Sequence, residues 1–290
     1  IYQILPQAAV FPVNKSDLKI LLKLAAYEKY RDIRFAPRGG GTGTNGQSLT
    51  DGIIIDCSRH MNDIRELNLE QGWVKVGPGV VLDQLNDFLR PYGVFFAPNL
   101  SPSSRATLGG MINTDACGKG SRVYGRTSDH LLELSCLLSN GEELYSVPLN
   151  PKELTDWKEA SGRTGDIYRV VDEIVCRQAE LIEEIFPKMS RFMTGYNLAR
   201  VYSNDQRPIF NLNYLLAGSE GTLAVVHEAK LRLTPLPNFQ ELIVVKYESF
   251  DDALRAAGIL VQSDPTAIET VDEKILGLAR EDEIYHKVKD

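Results

Sequence analysis

The ten residues Pro37 to Gly46 read PRGGGTGTNG, with five glycines set between two short apolar runs, Ile33 to Ala36 and Gly52 to Asp56. Glycine loses more conformational freedom on folding than any other residue, so a loop this rich in it persists where positive φ or a close backbone approach is needed. Successive N–H groups without side chains form a concavity that holds an anion, and a diphosphate has the matching shape and charge. The flanking runs are too short and apolar for a flexible linker and read as strands. Gly41 to Gly46 also satisfies G-x-G-x-x-G, but a Rossmann turn needs a helix opening at the last glycine. Gln47 to Asp51 leads straight into the strand at Gly52 to Asp56, leaving no room for that helix. No G-K-[ST] follows any glycine loop, so Walker-type phosphate binding is excluded as well.

With 290 residues the chain is long enough for a sizeable core and more than one folding unit. Its 32 Lys and Arg against 39 Asp and Glu leave a net charge of -7, a field that repels nucleic acid and anionic lipid. The longest apolar run, Leu131 to Ser139, falls well short of the roughly 20 residues that span a bilayer. Ile1 to Pro6 lacks the basic start and apolar block of a signal peptide and has no initiator Met, so processing or truncation is expected. Cys57, Cys117, Cys136 and Cys176 show no C-x-x-C spacing and read as free thiols of a reducing compartment, without a disulfide.

Apolar spacing predicts a helix from a Ser16 cap to about Tyr30, and another through Leu82, Leu85, Phe88 and Leu89 that stops at Pro91-Tyr92-Gly93. Ile64 to Leu69 and Trp73 to Val76 predict one hairpin. Leu131 to Ser139 and Glu142 to Val147, around Asn140-Gly141, predict another. Ile167 to Ile185 has the period of one long amphipathic helix ending at Pro187, and Leu223 to Leu233 returns to strand character. Thr234 to Asn238 (TPLPN) marks a domain boundary near residue 236. Beyond it, Leu242 to Tyr247, a helix over Phe250 to Gln262, and Ala267 to Val271 predict a βαβ-like unit.

Two further loops carry chemistry. Pro98 to Gly118 lacks apolar period until Thr107 to Asn113, which predicts a short helix whose first N–H groups face phosphate. Gly218 to Val226 (GSEGTLAVV) is a tight turn feeding a strand. Together the three loops resemble the flavin-binding half of the vanillyl-alcohol oxidase and p-cresol methylhydroxylase (PCMH) superfamily, in its FAD-linked 2-hydroxy acid dehydrogenase branch. The similarity rests on Arg38 to Gly46, Val76-Gly77-Pro78-Gly79-Val80, Thr107 to Gly118, Tyr124 to Asp129 and Gly218 to Leu223, in order over about residues 5 to 275. Ile1 to Pro6 and Gly195 to Leu198 are similar to large bacterial D-2-hydroxyglutarate dehydrogenases fused to an iron–sulfur module.

The resemblance implies an α+β fold: a PCMH-type FAD-binding domain of two α/β subdomains over residues 1–236, then the start of a ferredoxin-like substrate domain over residues 237–290. It places FAD against Pro37, Arg38, Gly39, Gly40, Gly41, Thr42, Gly43, Thr44, Gly46, Pro78, Pro98, Thr107, Leu108, Gly109, Gly110, Thr114, Ala116, Gly118, Tyr124, Gly125, Glu220, Gly221 and Val225. Covalent relatives carry His where Thr42 stands, so dissociable FAD is implied. Asp115 and Cys117 stand where relatives often have Asn and Gly, and read as tolerated variants.

The implied reaction oxidises a D-2-hydroxy acid, such as D-2-hydroxyglutarate, D-lactate or glycolate, to the 2-oxo acid by hydride transfer to flavin N5. The electron acceptor is unknown, and the implied location is cytoplasmic, with contact to the inner membrane only through that acceptor. Family bases and metal-ligating histidines lie in the substrate domain, so the catalytic residues are unassigned and an iron–sulfur cluster belongs only to a longer parent chain. His60, His130, His227 and His286 are isolated, have no metal spacing, and read as structural or surface groups. Lys119, Arg122, Arg126 and Arg191 are candidate anion partners that a solvated face explains equally well. An FAD-binding electron-relay domain without its own substrate is the alternative, and a nucleotide-binding module without redox chemistry the third reading.

Overall fold

A computed structural model describes residues 2–189, 195–203 and 208–288. The chain opens with β1 (Ala8–Val10), α1 (Lys15–Ala25), β2 (Phe35–Arg38) and β3 (Ile53–Asp56). The three strands form a parallel sheet in the order β1-β3-β2. Asn14, not Ser16, caps α1: its Oδ1 accepts from the N–H groups of Ser16 (2.8 Å) and Asp17 (3.2 Å). Leu18 and Leu22, four residues apart, then fall on one buried face and pack with Ile55, Cys57 and Met61.

β4 (Ile64–Asn68) and β5 (Trp73–Val76) form the expected hairpin, followed by α2 (Leu82–Leu89), β6 (Val94–Phe95), α3 (Leu108–Asn113) and α4 (Ser121–Tyr124). α2 and the 3₁₀ turn after it end at Gly93, which adopts the left-handed conformation glycine tolerates best. β7 (Leu131–Leu137) and β8 (Glu143–Ser146) pair antiparallel across Asn140-Gly141.

Three helices follow, α5 (Pro151–Lys158), α6 (Arg163–Arg177) and α7 (Ala179–Ile185), then α8 (Asn213–Leu216), β9 (Val225–Arg232) and β10 (Thr234–Pro235). The single long helix expected through Ile185 is two: Gln178, at φ -107 and ψ 18, leaves the helical well between α6 and α7. β9 inserts between β5 and β7, giving the antiparallel order β4-β5-β9-β7-β8. Its inner face packs Val74, Val76, Leu134 and Leu231 against Leu85, Leu108, Ile112, Tyr168 and Phe210. A second, smaller apolar cluster packs α1 and β3 against Leu137 of β7 and Val225 of β9, and β6 and β10 pair as a short antiparallel ribbon.

Beyond residue 236 the expectation needs correction. α9 (Phe250–Leu260), α10 (Glu273–Glu281) and α11 (Glu283–Val288) form, but Leu242 to Tyr247 and Ala267 to Val271 join no sheet. Leu242, Ile243 and Val244 are 85%, 81% and 73% exposed. A strand needs a ladder partner and an apolar face to lie on, and the described residues offer these segments neither. The segment touches the rest of the chain where Arg122 donates to Asp264 Oδ1 (2.6 Å) and the Pro265 carbonyl (2.7 Å).

Candidate functional site

β2 and β3 are parallel neighbours, so residues 39–52 must return along the strand length, and they do so without a helix. The returning loop lies directly on the segment before α3. A Cβ on Gly39 would sit 1.9 Å from Thr107 Oγ1, and one on Gly40 would sit 2.0 Å from the Arg105 carbonyl oxygen. Glycine is therefore required by contact at these two positions. At the other end of α3, the Gly218 N–H donates to the Ile112 carbonyl (2.9 Å) and the Glu220 N–H to the Asn113 carbonyl (2.8 Å). Three segments far apart in sequence are thus fastened along one short helix.

Between them lies a cleft of about 360 Å³, a size usual for ligand sites. Of the expected residues, Pro37, Arg38, Gly39, Gly40, Gly41, Thr42, Gly43, Thr44, Pro78, Thr107, Gly109, Gly110, Thr114, Ala116, Glu220, Gly221 and Val225 line it. Asn45, Gln47, Ser48, Cys57, Leu100, Pro102, Ala106, Met111, Asn113, Cys117 and Val226 line it too, beyond the sequence reading. Asn113 and Met111 lie within the Thr107 to Gly118 run, and only the turn of α3 decides which of its side chains face the cleft.

Six expected residues are not in the lining. Leu108 is fully buried in the core, and Pro98 is buried as well. Gly118 backs onto the Asn99 carbonyl, where a Cβ would come within 2.1 Å. Gly46 shapes the turn at φ +79, and Gly125, at φ +70, lies against the Asp129 carboxylate. The Tyr124 carbonyl accepts from His130 Nε2 at 2.7 Å, which fixes the proton of that buried imidazole on Nε2.

The short helix also departs from expectation. The N–H groups of Leu108 and Gly109 donate to the carbonyls of Val80 (2.8 Å) and Pro78 (2.8 Å), so the turn at 78–80 consumes most of the α3 N-terminus. The glycine loop is the real donor surface: no backbone N–H from Gly39 to Ser48 donates to another described residue. Arg38 supplies the positive charge of the cleft and is in no ion pair among the described residues, its guanidinium lying over Gly41. The cations named from sequence are elsewhere. Arg126 is 4% exposed and pairs with Asp115 at 3.4 Å, Arg122 is engaged with Asp264, Lys119 is exposed outside the cleft, and Arg191 lies outside the described residues.

Four oxygens of cleft-lining residues are buried without a partner: Thr107 Oγ1, Asn113 Oδ1, Gln47 Oε1 and Glu220 Oε2. Burial holds the Glu220 carboxyl above the usual carboxylate range. Burial and the neighbouring Asp56 charge push the Cys57 thiol up to about 12, so it is an inert wall of the cleft. Asp115 sits at φ +44, a conformation Asn and Asp tolerate better than other side chains, and its Oδ1 accepts from the Ser128 N–H at 2.9 Å. Among the described residues no group of three or more His, Cys, Asp or Glu could hold a metal, and no helix is long and apolar enough to cross a membrane.

Compared with known proteins, residues 6–145 match the family described as FAD binding domain. Over these residues the chain is similar to an FAD binding domain. D-2-hydroxyglutarate dehydrogenase of Pseudomonas putida is 53% identical over 288 residues, covering 99% of this chain and 28% of the relative. The Escherichia coli protein of the same name is 53% identical over 291 residues, again 28% of its length. Glycolate oxidase subunit GlcD of Bacillus subtilis is 26% identical over 95% of this chain and 47% of its own. Among solved structures, alkyldihydroxyacetonephosphate synthase shares the fold at a TM-score of 0.57 and 18% identity, over 89% of this chain and 38% of that one. The chain therefore spans a little over a quarter of the D-2-hydroxyglutarate dehydrogenases it matches.

The cleft has a chemistry that suits FAD. A run of unengaged amides beside an unpaired arginine fits a diphosphate, and buried acceptor oxygens fit hydroxyl and N–H donors. The glycines at the contact with Arg105 and Thr107 leave backbone, rather than side chain, facing that groove.

Proposed function

We propose that this chain is the flavin-binding part of an FAD-dependent dehydrogenase that oxidises a D-2-hydroxy acid, with D-2-hydroxyglutarate as the substrate. One observation carries the reading: the 39–48 loop, the Thr107 to Cys117 segment and the Glu220 to Val226 segment converge on one cleft that holds donors and acceptors with no internal partner. The names of the 53% identical relatives support the substrate.

In this proposal the amides of Gly39 to Ser48 and the Arg38 guanidinium hold the diphosphate, while Thr107, Gly109, Gly110, Thr114 and Ala116 form the floor under the cofactor. FAD, when bound, supplies the hydride acceptor. Thr42 offers a hydroxyl and no imidazole, so the cofactor is held without a covalent bond. Residues 237–290 open the substrate domain, and the base and the cations for the substrate carboxylate come from polypeptide beyond it. The open apolar side chains of Phe239, Leu242 and Ile243 support that division.

Anaerobic addition of D-2-hydroxyglutarate, D-lactate or glycolate to the FAD-loaded parent polypeptide tests the reading. Bleaching of the visible flavin band, fastest with D-2-hydroxyglutarate, is expected. A loaded protein that none of these acids reduces, while a chemical reductant does, would instead make the domain an electron relay.

A further inference from the structure

Beyond residue 236 the chain carries apolar side chains in the open, Phe250, Leu254 and Ile259 of α9 among them, so packing does little to fix where this segment lies. Its polar contacts are specific. It leaves from β10, where Thr234 pairs with Phe95 of β6 and the Leu236 N–H donates to the Gly93 carbonyl (2.9 Å). It touches again at the end of α9. A 3₁₀ turn there closes on Asp264, at φ +53, in the left-handed region that Asp tolerates better than most side chains. Pro265 follows, its φ fixed by the ring, so the turn is stiff. It offers the Asp264 carboxylate and the Pro265 carbonyl to one guanidinium. Arg122 Nη2 donates to Asp264 Oδ1 (2.6 Å) and to the Pro265 carbonyl (2.7 Å), and Nε donates to that carbonyl as well (3.2 Å). Beside this fork the Thr266 methyl lies against Gly120, 3.3 Å from where a Cβ would stand.

The two contacts are joined through α4. The Tyr124 ring stands edge-on to Phe95, with centroids 5.6 Å apart, and Arg122 is on the same short helix. That helix belongs to an excursion of the chain closed at its neck, where the Ala116 carbonyl accepts from the Thr127 N–H (3.0 Å) and Oγ1 (2.7 Å). We propose that Arg122 is a positioning residue that seats the substrate domain on the flavin-binding part, through the Asp264-Pro265 turn. This rests on residues 237–290 opening a substrate domain. A domain held only at residues 234–236 can swing about that point, whereas hydride transfer needs the reacting atoms held to about 3–3.5 Å. A second contact removes the swing. An exposed ion pair contributes little to stability by itself, and what the fork adds is direction. The planar guanidinium meets a carboxylate and a carbonyl at once in fixed geometry, which the point charge of a lysine does not reproduce.

Two measurements on Arg122→Ala, Arg122→Lys and Asp264→Asn test the assignment. Asp264→Asn keeps a side chain that tolerates the left-handed conformation while removing the charge. In the chain itself, hydrogen exchange read by mass spectrometry should quicken about five-fold over residues 250–266 in Arg122→Ala, and stay as in the parent over β5, β7 and β9, which also proves the variant folded. In the FAD-loaded parent polypeptide, the rate of flavin reduction at saturating D-2-hydroxyglutarate should fall by about ten- to a hundred-fold, with Arg122→Lys and Asp264→Asn in between. FAD affinity and the rate of reduction by dithionite should stay within about two-fold, since neither needs the substrate domain in place. Exchange over 250–266 that Arg122→Ala leaves unchanged overturns the proposal. So does quickened exchange with an unchanged rate for the hydroxy acid, because the contact would then hold the segment without positioning it. An unsubstituted parent that no hydroxy acid reduces overturns the functional proposal beneath, and the exchange measurement still decides whether Arg122 seats the segment.

Discussion

Replacing Gly40 with alanine puts a methyl group 2.0 Å from the Arg105 carbonyl oxygen, where ordinary contact begins at 3.4 Å. The two segments must part by about 1.4 Å, and the obstacle is backbone rather than a side chain that could swing away. Gly40 is outside the left-handed region, so alanine brings no dihedral strain and the whole effect is contact. Overpacking of this kind costs about 1–3 kcal/mol. The free protein can relieve the clash by lifting the glycine loop off the Arg105 to Thr107 segment, so the cost appears when FAD requires the loop back in place. FAD affinity should fall by about 10- to 100-fold, each 1.4 kcal/mol being a factor of ten. Fluorescence titration measures this, and Gly72→Ala is the control. Gly72 has φ +69 with nothing within 4 Å of its Cβ position, so alanine there should lower the melting temperature by strain alone and leave FAD binding intact. A Gly40→Ala chain that binds FAD within a factor of two of the parent refutes the argument that this contact shapes the cleft.

Arg38→Ala should weaken FAD and flatten the salt dependence of its binding, and isothermal titration at two ionic strengths checks both. Asp115→Ala removes the 3.4 Å carboxylate partner of buried Arg126 and the acceptor of the Ser128 N–H and should lower stability in denaturant unfolding, whereas Asp115→Asn, which keeps the tolerance of φ +44, should cost less. His227 is buried, and desolvation, then the Lys15 charge, lowers its pKa from 6.5 to about 4. Between these values the unfolded chain binds the extra proton, so this contribution is complete above pH 6.5 and drains away toward pH 4, to a loss of about 3 kcal/mol. His227→Leu should remove that part of the acid slope in urea unfolding followed against pH. Acid precipitation of the FAD-loaded protein should leave the yellow colour in the supernatant, because Thr42 cannot bond the flavin as an imidazole does.

What the sequence made legible was local and chemically marked. Glycine density fixed the loop between β2 and β3, Asn140-Gly141 fixed the β7–β8 hairpin with Gly141 at φ +80, and Gly93 closed the end of α2. Competing local choices were harder to read. Asn14 outcompetes Ser16 for the α1 cap because its amide oxygen reaches two N–H groups. The break at Gln178 carries no Pro or Gly to announce it. Leu242 to Tyr247 has strand composition, but composition cannot supply a ladder partner.

At the site, the glycine loop and the Thr107 to Gly118 run were visible, but which of their groups remain available was not. The turn at 78–80 takes the first α3 amides, a contact between residues some thirty apart that only the folded chain makes. Asn113 emerges as a cleft residue for the same reason, since facing depends on how α3 lies against Gly218 and Glu220.

The central claim is that the cleft between the glycine loop, α3 and the Glu220 turn is where FAD sits. Titration of the purified chain with FAD, followed by visible absorbance and flavin fluorescence, tests it most directly. The account predicts saturable binding of one FAD per chain, weakened by Gly40→Ala and Arg38→Ala. A chain that is folded by circular dichroism and binds no FAD, or binds it equally well with both substitutions in place, contradicts it.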